Sequence, residues 1–189
     1  MKTLGQLQWM EPREIWSHEA HDFTPWLREN IAMLSEAVGL ELDVVETESP
    51  VGDFSVDLYA KELGTNAWVV IENQLGSTDH GHLGQLLAYA TGKEAGVVIW
   101  IATQFRDEHR QALTWLNEIT GEDISFFGIE IELRRIDDSP PAPNFKLVVQ
   151  PNAWAKRSRQ GGGSCGVSAT TGIRDVLQAT ARGHQEAVS

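Results

Sequence analysis

The sequence predicts an α/β domain in which a central mixed sheet is flanked by helices. Amphipathic helical stretches alternate with apolar strands along the chain, as in domains whose sheet is covered by helices. The run 96–102 is almost continuously apolar and follows a helix, which indicates a buried strand added by a crossover connection. The chain of 189 residues is long enough for one sizeable core, so we expect one main domain.

Composition limits the function classes. The formal net charge of −12 argues against indiscriminate, high-affinity binding of nucleic acid, so any such contact would depend on local basic groups. Cys165 is the single cysteine, which excludes an internal disulfide framework. There is no signal-like pattern and no apolar run of membrane-spanning length, so we expect a cytoplasmic protein without membrane association.

The first elements are an extension and a helix. We assign residues 1–22 to an N-terminal extension, with a short extended segment or edge strand followed by irregular chain. Thr24 and Pro25 predict a helix start, with Thr24 as N-cap and Pro25 in the first helical position. Gly39 is expected to end this helix in a left-handed conformation.

Three strands are predicted next. Residues 40–48 alternate between apolar and polar and then break at Ser49-Pro50, which predicts a first strand. Gly52 allows a bend or bulge before a second strand. The second and third strands are expected to form a hairpin whose two-residue tip is Gly64-Thr65.

The hairpin register places acidic side chains together. If Leu63 pairs with Asn66, counting back puts Asp57 directly opposite Glu72, with Cβ atoms about 5 Å apart. Gln74 lies two residues beyond Glu72 and shares its face. Two such close carboxylates repel each other unless a cation lies between them, and Mg²⁺ or Mn²⁺ prefers oxygen ligands. The alternative is a solvent-exposed sheet face with incidental charges.

A helix that begins near Thr78 or Asp79 carries two stripes. One stripe is apolar and faces a core: Leu83, Leu86, Leu87 and Ala90. The other is polar and would border the acidic pair: Thr78, His82, Gln85 and Tyr89. His80 and His82 suit phosphate contact or substrate positioning, with a capping or hydrogen-bonded structural role as the alternative. A zinc site is disfavoured because His-x-His at a helix start does not place both rings on one face.

The rest of the chain completes the sheet and then changes character. We predict a helix over 105–120, a strand over 124–136, a turn-rich loop over 137–143 and a last strand over 145–149. A glycine-rich stretch follows over 160–166, and we expect the tail 156–189 to be disordered or poorly packed.

Short motifs in this frame resemble a known superfamily. Asp57, followed by Glu72-Asn73-Gln74 at the end of the next strand, resembles the PD-(D/E)XK nucleases. Gln85-Leu86-Leu87-Ala88-Tyr89 resembles the Q-x-x-x-Y element of RecB-like members. Further matches are Val51-Gly52-Asp53-Phe54, Thr78-Asp79-His80, His82-Leu83-Gly84-Gln85, Trp115-Leu116-Asn117 and Pro151-Asn152-Ala153-Trp154.

Together these motifs are similar to the N-terminal nuclease-like domain, tRNA-endonuclease-like or RecB-like, of uncharacterised prokaryotic proteins that carry a C-terminal domain of unknown function. The resemblance covers about residues 23–156, and we assign 23–155 to the nuclease-like domain. It implies a restriction-endonuclease-like αβββαβ core. It also implies hydrolysis of phosphodiester bonds in DNA or RNA, as an endo- or exonuclease, with Mg²⁺ or Mn²⁺ as cofactor.

The resemblance also implies roles for individual residues. Asp57, Glu72 and the backbone carbonyl of Asn73 correspond to metal ligands. Gln74 replaces the usual lysine and would orient water, although a glutamine cannot supply positive charge. Gln85, Tyr89, His80 and His82 would contact substrate. Glu48 and Asp53 are more distant acids, and Glu36 is either an extra acid of the site or a solvent-facing glutamate.

Two other functions stay open. The chain could be a catalytically inactive nuclease-fold module that binds nucleic acid or protein, a reading favoured by Gln74 and the acidic balance. A histidine-based metallohydrolase using His80 and His82 is the third option. The expected partner is nucleic acid, DNA ahead of RNA, with a homodimer as an open possibility.

Overall fold

The computed structural model describes residues 4–120 and 122–151. The strands are β1 Leu7–Met10, β2 Leu42–Val51, β3 Phe54–Glu62, β4 Trp68–Asn73, β5 Val97–Ala102, β6 Ser125–Ile136 and β7 Ala142–Val149. The α-helices are α1 Thr24–Glu29, α2 Ile31–Val38, α3 His80–Gly92 and α4 Asp107–Ile119. A 3-10 turn at Pro12–Glu14 and a π-helical turn at Glu19–Phe23 precede α1. The predicted tail 156–189 and the motif residues 152–154 lie outside the described residues.

The seven strands form one mixed sheet in the order β1-β6-β5-β4-β3-β2, with β7 also paired to β6. The pairs β4–β5 and β5–β6 are parallel, because α3 and α4 carry the chain across between them. The other pairings are antiparallel. The predicted fold class is confirmed: helix, three antiparallel strands, helix and parallel strand follow one another as in an αβββαβ core.

Helices cover both faces of the sheet. On one face, α1 and α2 bury Leu27, Leu34 and Val38 against a core that includes Ile71 and Ile99. On the other face, α3 and α4 pack through a second core with the following members: Leu86, Tyr89, Ala90, Val98, Trp100 and Leu113. β5 is buried along its whole length, because helices lie on both of its faces. No helix of residues 4–120 or 122–151 is long and apolar enough to cross a membrane.

The N-terminal helix differs from its prediction. It is preceded by the π-helical turn, so Thr24 is already helical and its hydroxyl donates to the Glu19 carbonyl instead of capping. The helix is also interrupted at Asn30, which separates α1 from α2. The expected left-handed end at Gly39 is confirmed, with φ of 67°.

The first predicted strand is longer than expected. β2 continues through Ser49 and Pro50 to Val51 instead of breaking there. A proline is tolerated because β2 is the outermost strand, where a missing N–H leaves no central ladder bond open. Gly52 then lies in a two-residue turn to β3 with φ of 60°, the conformation that such tight hairpins need.

The β3–β4 hairpin has a four-residue loop instead of the predicted two-residue tip. Glu62 pairs with Ala67 through the backbone, and its carboxylate accepts hydrogen bonds from the N–H groups of Gly64 and Thr65. Asn66 closes the loop with φ of 66°, which asparagine tolerates better than most residues. The loop is one residue longer on each side than predicted, so the strand register is unchanged.

Smaller differences concern the predicted boundaries and faces. Leu87 was expected to face the core on α3, but it is partly exposed. β7 begins at Ala142, inside the predicted loop 137–143. The extended segment predicted before residue 22 is observed as β1, which pairs with the end of β6.

Candidate functional site

Three carboxylates form a row across β2, β3 and β4. The β2–β3 pairs Thr47–Leu58 and Ser49–Val56 bracket Glu48 and Asp57, so these two acids lie at the same level. In β3–β4, Leu58 pairs with Ile71, which brings Asp57 beside Glu72 as the sequence predicted. The row exists because each of the three strands presents one acid at the same height.

Glu48 adopts an unusual backbone conformation. Its φ is 50°, which is uncommon for a residue other than glycine and occurs here just after a β-bulge between Val44 and Glu46. Its carboxylate accepts a hydrogen bond from the Ser55 hydroxyl at 2.8 Å. The bulged outer strand therefore turns Glu48 towards the acidic pair.

Glu19 is a fourth acid, which the sequence reasoning missed. It lies in the π-helical turn before α1, and its carboxylate accepts a hydrogen bond from the Leu75 N–H just after β4. Its position in an apparently irregular segment gave no periodic signal. Glu36 is instead exposed on α2 and is not among the residues that line the cavity described below.

Burial and mutual repulsion make the central pair hard to ionise. Loss of solvent raises the pKa of Asp57 to about 7, with further contributions from the charges of Glu48 and Glu19, although the Asn73 N–H opposes the shift. Loss of solvent and the charge of Asp57 raise the pKa of Glu72 to about 9. Without a compensating cation, both carboxylates are held in an unfavourable environment.

The donor chemistry of the pair fits a hard divalent cation. Glu72 Oε2 is buried and has no hydrogen-bond partner, so one carboxylate oxygen is left free beside a second carboxylate. Oxygen ligands of this kind suit Mg²⁺ or Mn²⁺. Within residues 4–120 and 122–151, however, no group of three or more His, Cys, Asp and Glu side chains is arranged as a complete metal site.

Asn73 fixes the geometry of the pair. Its backbone N–H donates to Asp57 Oδ2 at 2.8 Å, which ties the end of β4 to the carboxylate on β3. Its side chain is buried against the Thr24 hydroxyl at 3.2 Å, which ties the same point to α1. The expected role of its carbonyl as a metal ligand stays a proposal.

The amide of Gln74 is held by protein groups. Its Oε1 accepts a hydrogen bond from the indole N–H of Trp100 at 2.9 Å. Its Nε2 donates to the Ser77 carbonyl at 2.9 Å and to Asp79 Oδ2 at 3.3 Å. Gln74 therefore braces the loop between β4 and α3, and this role could not be predicted from its position in the motif.

A cavity of about 590 Å³ opens over the acidic row. Its lining includes Ala20, Glu48, Pro50, Gly52, Asp53, Phe54, Ser55, Asp57, Glu72, Gln85 and Tyr89. Gln85 and Tyr89 reach it from α3, as the polar stripe predicted. Burial and the charges of Glu72 and Asp57 raise the pKa of Tyr89 to about 12, so its hydroxyl keeps its proton at neutral pH.

The histidines of α3 lie elsewhere. His80 Nδ1 is 2.7 Å from His109 Nε2, and His109 Nδ1 is 2.7 Å from the Thr78 hydroxyl. His82 bonds through its ring to Asp79, the residue that caps α3. Neither His80 nor His82 lines the cavity, so the structure brings them together with α4 and the helix start instead of with the acids.

Among the described residues, no lysine or arginine lines this cavity. Lys93, one turn beyond Tyr89, donates to the Ser49 hydroxyl at 2.5 Å and lies 4.8 Å above the Tyr59 ring. Arg110 and Lys146 are both paired with Glu130, and Arg134 with Glu132. The part of the cleft that the described residues form therefore carries several acids and no basic side chain.

No protein-family model matches the chain, and no curated protein matches its sequence. Two solved structures resemble parts of it, each with a TM-score of 0.44. A repair endonuclease from Pyrococcus abyssi is 16% identical over 51% of this chain and 42% of its own. A complex of EndoMS with double-stranded DNA is 18% identical over 57% of this chain and 43% of that chain. The chain thus spans less than half the length of these endonucleases.

Proposed function

We propose that this chain is a divalent-metal-dependent phosphodiesterase that acts on nucleic acid. The observation that carries the proposal is the pair Asp57 and Glu72. The half-buried Asp57 and the buried Glu72 share one level of adjacent strands, both have raised pKa values, and one Glu72 oxygen has no partner. Such an arrangement is costly in an empty site and becomes favourable when a cation neutralises it.

Each residue then has a distinct part in the chemistry. Asp57, Glu72 and the Asn73 carbonyl would hold a Mg²⁺ or Mn²⁺ ion, which when bound would activate water and offset charge on the scissile phosphate. The Asn73 N–H keeps Asp57 oriented. Gln85 and Tyr89, on the α3 wall of the cavity, contact the substrate, and the protonated Tyr89 hydroxyl can donate to a phosphate oxygen.

Gln74 acts as a positioning residue in this proposal. Because its amide is bonded to Trp100, Ser77 and Asp79, it sets the course of the chain directly after Glu72. Its amide is neutral where the resemblance implies a lysine, so Gln74 itself supplies no positive charge to the site. DNA as the preferred substrate, ahead of RNA, and a homodimer stay predictions from the resemblance.

The experiment is cleavage of labelled single- and double-stranded DNA and RNA with Mg²⁺ or Mn²⁺. Wild type is compared with Glu72→Gln, which keeps the size of the side chain but removes its charge. Asp53→Asn, an exposed acid at the rim, is the matched control. We expect metal-dependent cleavage that is lost in Glu72→Gln and retained in Asp53→Asn. Cleavage that survives Glu72→Gln would overturn the assignment.

A catalytically inactive binding module is the second candidate, and the missing cation in the cleft favours it. This candidate predicts no cleavage of any substrate and no rise of the melting temperature with Mg²⁺ or Mn²⁺. A bound cation must stabilise the fold by linkage when its concentration exceeds its dissociation constant. A metal-induced rise that Asp57→Ala abolishes would therefore count against the inactive module.

A further inference from the structure

A second cavity adjoins the acidic one. Its volume is about 420 Å³ and it shares Ala20 and Glu48 with the acidic cavity, and the two adjoining cavities are together called the groove below. The lining of the second cavity includes Ala20, Thr24, Pro25, Arg28, Glu29, Thr47 and Glu48. The groove therefore extends beyond the acidic row towards Arg28.

Arg28 has no ion-pair, hydrogen-bond or ring partner among the described residues. Most described lysine and arginine side chains are bound in ion pairs, hydrogen bonds or ring contacts. Within residues 4–120 and 122–151, Arg28 and Arg106 have no such contact; Arg28 lines the second cavity, whereas Arg106 lines neither of the two cavities of the groove. A free guanidinium at the end of an acidic groove suits a phosphate group, to which it can donate two parallel hydrogen bonds. The negative charge of Glu29 beside Arg28 limits the electrostatic attraction at this end of the groove to one well-placed anion.

Phe54 lies in the acidic cavity as well. It follows the Gly52-Asp53 turn at the start of β3, and it is 60% exposed although it lines the cleft. It makes no ring contact with another described aromatic side chain, unlike Tyr59, which stacks on Trp68. An exposed ring beside a phosphate-binding groove can stack on a nucleobase, whatever the base.

We propose that this groove binds an unpaired nucleic-acid strand, with Arg28 on a backbone phosphate, Phe54 stacked on a base and the acidic row between them. The proposal rests on the proposed function and names the form of its substrate. Bases inside a duplex are stacked on both faces, so Phe54 can reach a base face only at an unpaired position. One free arginine and one ring suit a single strand better than the broad phosphate surface of a duplex.

The test measures binding of a labelled oligothymidylate and of a duplex of equal length by fluorescence anisotropy over a range of salt concentrations. Glu72→Gln is the background, so cleavage does not interfere. We expect Phe54→Ala to weaken single-strand binding about 5- to 100-fold and to leave duplex binding unchanged. Phe54→Trp should retain the affinity, since it keeps a stacking face.

The Arg28 variant is tested by the salt dependence of binding. Arg28→Ala should weaken single-strand binding and reduce the slope of log affinity against log salt by about 0.7, the value for one lost phosphate contact. Arg106→Ala is the matched control, because Arg106 is also unpaired among the described residues but lies outside the groove. Trp115→Ala is the control for an exposed ring on α4, since Trp115 is 57% exposed. Both controls should bind like the background.

Three results would overturn the proposal: no binding of the oligothymidylate, equal losses for single strand and duplex, or an unchanged salt slope in Arg28→Ala. A failure of the proposed hydrolysis is distinguishable from a failure of this binding proposal. If the wild type cleaves nothing while binding depends on Arg28 and Phe54, the groove is upheld and the phosphodiesterase is excluded. If the double variant Arg28→Ala/Phe54→Ala, with Glu72 intact, cleaves as well as the wild type, the phosphodiesterase is upheld and the groove is excluded.

Discussion

Trp100 donates its indole N–H to the amide oxygen of Gln74 at 2.9 Å, across the parallel strands β4 and β5. Both side chains are buried, and the same amide holds the Ser77 carbonyl on the following loop. The amide of Gln74 is therefore matched to its surroundings on both sides.

Placing a lysine at position 74 should destabilise the fold. In Gln74→Lys, the Trp100 N–H stays buried without an acceptor, and an unsatisfied buried donor costs about 1–3 kcal/mol of the free energy of unfolding. Urea denaturation measures the loss. Trp100→Phe removes the indole N–H, so no donor is left unsatisfied. In that background, Gln74→Lys should therefore lower the free energy of unfolding by less. Equal costs in the two backgrounds would show that the two side chains are not coupled.

Removing charge from the acidic pair should stabilise the metal-free protein. The raised pKa values mean that the folded state binds more protons than the unfolded state between about pH 4 and 9, so stability from this pair falls as pH rises through that window. Asp57→Asn should therefore raise the free energy of unfolding by about 0.5–2 kcal/mol at about pH 8 in EDTA.

The gain in Asp57→Asn should shrink at about pH 5, where the pair is largely protonated and its repulsion is already relieved. Thermal denaturation at the two pH values measures both effects. Asp53→Asn, at the exposed rim, is the control and should change little at either pH. A loss of stability in Asp57→Asn at about pH 8 would contradict the electrostatic account.

Glu130 should show the opposite pH dependence. Burial alone would raise its pKa, but Lys146, the Phe105 N–H and Arg110 together hold the pKa below its ordinary value. The stability it contributes is present above the pKa of the unfolded state and is lost as pH falls through the folded value. Glu130→Gln should cost about 1–3 kcal/mol near neutral pH, because a buried backbone donor and two cations lose their charged partner.

Glu132→Gln is the matched control for Glu130. Glu132 lies two residues further on β6 and also pairs with a cation, Arg134, but none of its hydrogen bonds comes from a buried backbone group. The cost of Glu132→Gln should be smaller than that of Glu130→Gln, because no buried backbone donor loses its charged acceptor. Equal losses in the two variants, measured by urea denaturation, would refute the special role of the Phe105 N–H.

The loop between β3 and β4 should depend on Glu62. Its carboxylate binds the N–H groups of Gly64 and Thr65 and the Thr65 hydroxyl, and these bonds outweigh burial and hold its pKa below the ordinary value. Glu62→Ala should lower the free energy of unfolding by about 1–2 kcal/mol, comparable with the loss of a helix cap. Thr65→Val removes one bond only and should cost less, as thermal denaturation would show.

The sequence correctly predicted that Asp57 and Glu72 lie opposite each other on adjacent strands, although it predicted a hairpin loop that is too short. Hairpin register depends only on the sum of paired residue numbers, and the loop grew by one residue on each side, so Leu58 still faces Ile71. The positions of most strands followed from local patterns as well, since alternating or apolar runs bounded by turn residues marked them.

Other parts of the site depend on contacts between distant segments and left no local signal. Glu19 meets the start of the loop at Leu75 across 56 residues, and Trp100 meets Gln74 across 26. His80 was expected at the substrate, but the position of α4 gives it His109 as a neighbour. Spacing along one element fixes which residues share a face, whereas the partner on that face is set by packing.

The outer strand β2 has a consequence for association between copies of the chain. An edge strand offers unpaired backbone groups to any other strand, and a flat edge invites polymerisation. β2 carries a bulge after Val44, a left-handed backbone at Glu48 and a proline at position 50, all of which interrupt a regular row of donors and acceptors. The distortion that turns Glu48 towards the cleft thus also protects this edge of the sheet against aggregation.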